Sequence, residues 1–320
     1  MIGTVGTELT MADRFGALRM RLDIGRGGYR VQPGLYQIGS PSPDSPVLVT
    51  SNYKLTFDHV RSQMVGHDVW LLVVDTGGIN VWCAAGKGTF GSVGVARSIV
   101  ESGLANVVGH RTVILPQLGA TGVAAHEIKA FTGFRVVFGP VRASDIPAFL
   151  KAGMRVTPEM RTVTFTLAER LTLTGVELSV GWKPKTLLGM ALFVLLSGIG
   201  IWGFSTDALI ARGTAGLLAA YTGLASGALI MPALLPALPF RLFAAKGVLV
   251  GAVTASAVAW LVAPAIGSLA AAGLWCASVA IASYVAMNFT GSSPIASPSG
   301  VEAEMRKALP WQGGGAALAI

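Results

Sequence analysis

Cys83 is one of only two cysteines in this chain, and it lies in the run Asn80-Val81-Trp82-Cys83-Ala84-Ala85-Gly86-Lys87. Ahead of that run come the apolar stretch Val69–Val74 and the turn Asp75-Thr76-Gly77-Gly78. The layout predicts a strand, a tight glycine turn, and a helix with Asn80 as its N-cap. Cys83 then falls in the first helical turn, where free N–H groups and the helix dipole favour a thiolate. The other cysteine, Cys276, sits in a long apolar segment, so a multi-cysteine zinc or iron–sulfur site is out of reach. What remains is a lone soft ligand for one metal that something else holds.

Other chemistries fit less well. Gly86-Lys87 looks like the end of a phosphate-binding loop, but the required earlier glycine falls at Val81, and Gly88 follows the lysine in place of Ser or Thr. His59, His67, His110 and His126 show no metal-ligand spacing, and no Ser-His-Asp set or paired carboxylates can be read from the chain. Cys83 itself has a simpler reading as a small core residue. Its neighbours argue for more. Ala84, Ala85 and Gly86 predict a nearly bare helix surface that a flat macrocycle can approach. Gly86 and Lys87 follow Cys83 at i+3 and i+4, on the same face. Trp82 reads as core packing, and Lys87 as a partner for a thiolate or a polar substituent, or as a solvated lysine.

The elements that must position this run read as a βαβ series. Val47–Thr50, Val69–Val74, Thr112–Leu115 and Phe134–Phe138 read as short buried strands. Phe57–Met64, Asn80–Lys87, Val93–Ser102, Val123–Phe131 and Ala143–Lys151 read as helices. The order predicts an α/β domain with a mainly parallel sheet. At its carboxyl edge the Asp75–Lys87 and Pro116–Gly122 loops meet. Residues 1–30 read as a peripheral or poorly ordered lead-in without the apolar core of a secretory signal. The alternation over Thr162–Leu178 predicts a hairpin closing the domain, with Gly181–Pro184 as linker and Trp182 as an interfacial anchor.

Composition divides the rest. Between residues 187 and 289 the only charged side chains are Asp207, Arg212, Arg241 and Lys246, a density that suits a bilayer and not a soluble core. Leu187–Phe204, Gly213–Leu238, Leu242–Val262 and Ser268–Phe289 predict an all-α bundle of four spans, or five if Asp207–Pro239 forms two short helices around Tyr221–Gly227. With four spans, Lys183 and Lys185, Arg241 and Lys246, and Arg306 and Lys307 share one side, which the positive-inside rule makes cytoplasmic. The expected organisation is a lead-in (1–30), a cytoplasmic domain (31–182), a transmembrane domain of an inner membrane (183–289) and a tail (290–320). The net charge of +8 points to anionic headgroups and not to nucleic acid.

The run Asn80–Lys87 matches N-V-W-C-A-A-G-K at all eight positions, and so resembles the membrane-anchored corrinoid proteins of microbial mercury methylation, the HgcA family. Val47–Arg61, with Val-Leu-Val-Thr-Ser-Asn-Tyr-Lys-Leu-Thr, is similar to that family and to the large subunit of the corrinoid iron–sulfur protein of the acetyl-CoA pathway. Leu115–Phe134, Phe289-Thr290-Gly291 and Ser299-Gly300-Val301 add less specific likeness. The multi-span half resembles the mercury family, and this chain lacks the iron–sulfur cysteines of the soluble relative. That family is described with five spans.

The resemblance implies a corrinoid (cobalamin-type) cofactor on the first domain with Cys83 as catalytic residue and lower axial ligand to cobalt. A histidine ligand in an Asp-x-His-x-x-Gly run is absent. The implied cofactor-binding residues are Asn80, Val81, Trp82, Cys83, Ala84, Ala85, Gly86 and Lys87. Thr76 and Gly77 in one loop, and Gln117, Gly119 and Gly122 in the other, are expected against the corrin edge or its nucleotide tail; otherwise they are ordinary turn residues. The implied activity is a corrinoid-dependent methyltransferase passing a methyl group from methyl-Co(III) to Hg(II), giving methylmercury. The implied partners are a two-[4Fe-4S] ferredoxin (HgcB-like) as electron donor and a methylated folate-type donor system. The alternative is a membrane-bound corrinoid methyl carrier of one-carbon and acetyl-CoA metabolism. A corrinoid-binding module of a transport system fits less well, because the spans carry few polar groups.

Overall fold

The computed structural model describes residues 2–294, 296 and 298–317. Met1 and, within the expected 290–320 tail, Ile295, Ser297 and residues 318–320 lie outside the described residues. The chain divides into two compact units, Met1–Met20 with Ile24–Val163, and Arg21–Asp23 with Thr164–Ile320.

The first unit is a six-stranded sheet with helices on both faces. Its strands are β1 (Ile2–Thr4), β2 (Gly34–Ile38), β3 (Val47–Ser51), β4 (Val69–Val74), β5 (Thr112–Leu115) and β6 (Arg135–Phe138). They run in the order β1-β2-β4-β3-β5-β6, and every pairing is parallel except that of β2 with β4. All residues of β3 and β4 are buried, which explains why both read as unbroken apolar runs without alternation. Val49, Leu72, Val74, Leu115 and Phe90 pack on one face; Leu48, Leu71, Val73, Phe57 and Phe149 pack on the other. The helices are α1 (Met11–Arg21), α2 (Lys54–Ser62), α3 (Val81–Gly86), α4 (Ser92–Glu101), α5 (Ala125–Thr132) and α6 (Ile146–Lys151).

The lead-in is built into this unit. β1 pairs with β2, Ile2 opposite Leu35, and Asp13 in α1 bridges to Lys54 and Arg61 of α2. Burial alone would raise the Asp13 carboxyl, but hydrogen bonds from Lys54 and Thr10 outweigh it and hold the group well below the usual carboxylate range. Arg61 also donates to the carbonyls of Gly6 and Glu8. These long-range polar ties leave no periodic signal, so the segment reads as irregular from sequence.

The second unit corrects three expectations. Residues 162–178 form no hairpin: they contain α7 (Leu167–Leu178), opened by a capping box in which Thr166 and Glu169 satisfy each other's backbone N–H groups. Thr-x-x-Glu is the stronger signal here, and the buried side chains Arg170, Thr174 and Glu177 recur at helical spacing. Glu177 has its carboxyl pushed up by burial.

Leu187–Phe204 is not one continuous helix either. α8 (Pro184–Ser197) stops after 14 residues, about 21 Å of helix against a hydrocarbon core of roughly 30 Å. A two-stranded hairpin follows, β7 (Ile199–Gly200) with β8 (Gly203–Phe204), and its Gly203 takes φ +108, which few other residues tolerate.

The third difference concerns the span count. Three helical stretches among the described residues are long and apolar enough to cross a membrane: Thr206–Ala237, Phe243–Ile266 and Ser268–Thr290. The first contains α9 (Thr206–Ala225), a π-helical stretch (Ser226–Ile230) and α10 (Met231–Leu234). It is continuous, so Asp207–Pro239 does not split into two spans. The other two stretches are α11 (Phe243–Ile266) and α12 (Ser268–Thr290). Small residues let them close up: a Cβ on Gly247 or Gly251 would come within 2.6 Å of atoms of Ala282.

The tail contains α13 (Pro298–Ala317). It runs back along α12, with Gln312 donating to Ser283 and the buried Glu304 accepting from Thr290 and from the Ala244 N–H.

Candidate functional site

The carboxyl ends of β3, β4 and β5 carry three loops, and each is built differently. After β3 comes Asn52, 1 % exposed. Its side-chain oxygen accepts from the Thr76 N–H, the Thr76 hydroxyl and the Gly78 N–H, at 2.9–3.0 Å, and its amide donates to Asp75 at 2.8 Å. One side chain thus shapes the whole turn after β4, in which Gly77 and Gly78 adopt φ of +67 and +77. Thr76, expected to face a ligand, is buried, and its one hydroxyl hydrogen is shared between Asn52 and the Ile79 carbonyl, the latter at 2.6 Å. Gly77 is exposed, and a side chain there would meet nothing within 4 Å.

That turn delivers the chain to α3. Asn80 is its N-cap, accepting from the Cys83 N–H at 2.9 Å. Gly88, at φ +79, stops the helix after six residues. The inner face is fixed, with Val81, Ala84 and Ala85 each at most 5 % exposed. The outer face carries Trp82, Cys83, Gly86 and Lys87, all exposed. Lys87 donates its backbone N–H to the Cys83 carbonyl at 3.1 Å, so the i+4 relation holds. Two expectations change. Ala84 and Ala85 do not bare the outer surface; they let the helix seat closely, and Gly86 alone is bare, with nothing within 4 Å of a built Cβ. Trp82 does not pack in the core, because its place in the first turn turns it outward at 37 % exposure.

The loop after β5 is held by close packing. A Cβ on Gly119 would fall 2.7 Å from the Phe90 ring, and one on Gly122 would fall 2.7–2.9 Å from backbone atoms of Phe90 and Ala85. Both glycines face α3 and its exit. Gln117 is half-buried, and its Oε1 has no hydrogen-bond partner among the described residues, a cost of about 1–3 kcal/mol unless something donates to it.

Sequence reasoning missed Asn52 as the hub, although an Asn at a strand end is a signal for such a turn. It also missed the segment Gly25–Arg30, which reaches this edge: Arg30 bridges to Tyr53, and the Arg30 Cβ would lie 3.5 Å from a Cβ on Gly78. The histidines do not gather. His67 contacts the Val65 carbonyl and His110 the Ser45 carbonyl, and no group of three metal-ligating side chains occurs among the described residues.

With the site described, its relatives can be compared. Residues 24–150 match the family model of the CO dehydrogenase/acetyl-CoA synthase delta subunit. The acetyl-CoA decarbonylase/synthase complex subunit gamma of Methanopyrus kandleri is 37 % identical over 123 residues, 38 % of this chain and 26 % of the relative. The subunit of the same name from Methanocaldococcus jannaschii is 39 % identical over 123 residues, 38 % and 25 % of the two chains. The corrinoid/iron-sulfur protein large subunit of Moorella thermoacetica is 35 % identical over 127 residues, 39 % and 28 % of the two. The first unit is homologous to these acetyl-CoA decarbonylase/synthase and corrinoid/iron-sulfur protein subunits. The chain spans about a quarter of the length of the relatives it matches, and the family match ends at residue 150, before the helical unit.

Proposed function

We propose that the first unit holds a corrinoid with Cys83 as the lower ligand to cobalt, and that the chain is a membrane-anchored methyltransferase whose acceptor is inorganic Hg(II). The observation that carries this is the placement of Cys83. Its thiol is exposed on a short helix whose other face is locked into the core, in the unit homologous to corrinoid-pathway subunits. A bound corrinoid supplies a cobalt centre able to accept and release a one-carbon group.

The residues fit such a group. A thiolate is a soft, strongly donating ligand for a transition metal. Gly86 leaves open space beside the sulfur, so a broad planar ring meets no side chain at that position. The Asn80 cap holds the Cys83 N–H and keeps the first turn from fraying. Gln117 Oε1 is an unused acceptor for an amide N–H of the kind that rims a corrin. Gly77 presents bare backbone, and Lys87, on the face of Cys83, reaches polar substituents. Val81, Ala84 and Ala85 act by anchoring the helix; Thr76, Gly119 and Gly122 act by shaping the loops. Hg(II), a soft electrophile, suits a methyl group released under strong donation from sulfur. A two-[4Fe-4S] ferredoxin as reductant, a methylated folate-type donor and a cytoplasmic orientation complete the reading.

A second reading is a membrane-bound corrinoid methyl carrier of one-carbon metabolism. The names of the relatives favour it, since all three quoted above belong to acetyl-CoA or corrinoid/iron-sulfur systems. Both readings need Cys83; they differ in the acceptor. In an anaerobic host lacking the activity, the chain co-expressed with such a ferredoxin is expected to form methylmercury. Cys83→Ala is expected to fall to the host background at unchanged protein level in the membrane. Methylmercury at wild-type rates from the variant would overturn the role of Cys83. Corrinoid uptake with no methylmercury from the wild type would move the assignment to the second reading.

A further inference from the structure

We propose that Arg30 binds the phosphodiester of the bound corrinoid's nucleotide arm; the inference rests on the corrinoid reading above. The amide arms of a cobalamin are neutral, and its phosphodiester is the one peripheral anion. With sulfur in the lower position the nucleotide base would be displaced, and its charged linker would lie on the protein side, where a cation would stabilise it.

Arg30 is pinned at that edge by its backbone. The Val31 N–H donates to the Asn52 carbonyl at 2.9 Å, the Lys54 N–H donates to the Tyr29 carbonyl at 3.1 Å, and Arg30 itself bridges to Tyr53. Its stem lies along the turn that leads into α3, since a Cβ on Gly78 would be 3.5 Å from Arg30 Cβ and 3.8 Å from Cδ. The side chain is exposed and, among the described residues, makes no ion pair and no side-chain hydrogen bond. Two other arginines of this unit are committed, Arg61 to Asp58, Asp13 and two carbonyls, and Arg111 to the carbonyls of Ala105, Val108 and His110; what sets Arg30 apart is its place against the turn that leads into α3. The acid beside the turn, Asp75, is oriented through Oδ1 by Asn52 and the Gly77 N–H and makes no ion pair with Arg30. A free guanidinium on a fixed backbone at a ligand edge is suited to a phosphate, which it can grip through two parallel N–H bonds.

The test compares cobalamin with cobinamide, which lacks the nucleotide arm and its phosphodiester. Both are titrated anaerobically into the purified full-length protein, followed by the visible spectrum of the corrinoid. Arg30→Ala is expected to weaken cobalamin binding about tenfold and to leave cobinamide unchanged, with Arg30→Lys recovering part of the loss. Added salt is expected to weaken cobalamin binding in the wild type and much less in Arg30→Ala. Equal loss for both corrinoids, no loss for either, or a cobalamin-specific loss seen in Lys87→Ala but not in Arg30→Ala would each overturn the assignment. A wild-type protein that takes up neither corrinoid overturns the reading of the site, and the role of Arg30 with it.

Discussion

The two loops that flank α3 do similar work by opposite means. The Asp75–Gly78 turn is held by a polar hub, four hydrogen bonds converging on the buried Asn52. The Gln117–Gly122 loop has only backbone hydrogen bonds of its own turns and one to Pro140, and is seated by contact, with two glycines pressed against Phe90 and Ala85. A hub concentrates its stabilisation in one residue, whereas a packed loop spreads it over surfaces. The first should fail when a single partner is removed, and the second when a single carbon is added.

The sharpest way to break this contrast is Asn52→Ala. It strands the buried donors of Thr76 and the half-buried N–H of Gly78, and a loss of about 3 kcal/mol is expected. It is read as a lower unfolding midpoint of the full chain in detergent, followed by tryptophan fluorescence. A loss under about 0.5 kcal/mol, the range of ordinary surface changes, would show that the turn holds itself. Next comes Gly122→Ala, where the added carbon meets backbone that cannot rotate away. About 2 kcal/mol is expected in the same measurement, while Gln117→Ala, which removes an unsatisfied acceptor, serves as the contrasting change in the same loop. The smallest effect belongs to the open face of α3. Gly86→Ala adds a carbon into empty space and is expected to be neutral or to stabilise by up to about 1 kcal/mol through helix propensity. A clear loss there would mean the outer face is covered.

Legibility in the sequence followed the range of the interactions. Strands β3 to β6 could be read because their apolar side chains are buried on short stretches of chain. The start of α3 could be read because Asn80 acts within a turn of its own position. The outward face of Cys83, Gly86 and Lys87 follows from helical spacing. What the chain hid was set at a distance or by competition between signals. β1 owes its place to β2, more than thirty residues downstream. Thr162–Leu178 alternates like a strand, yet the capping box at Thr166 and Glu169 makes it a helix. Ile199–Phe204 is apolar enough for a span, yet Gly203 turns it into a hairpin. Ala84 and Ala85 looked like exposed smallness and proved to be close seating, because composition does not say which side of a helix faces the sheet.

The carboxylate of Glu304 has one more implication. It supplies the acceptor for the Ala244 N–H at the start of α11, across 60 residues of chain. During synthesis α11 and α12 emerge long before that acceptor exists. Until the stretch that carries Glu304 leaves the ribosome, water or headgroups must occupy its place, so the start of α11 is sealed only after all of α12 has been made.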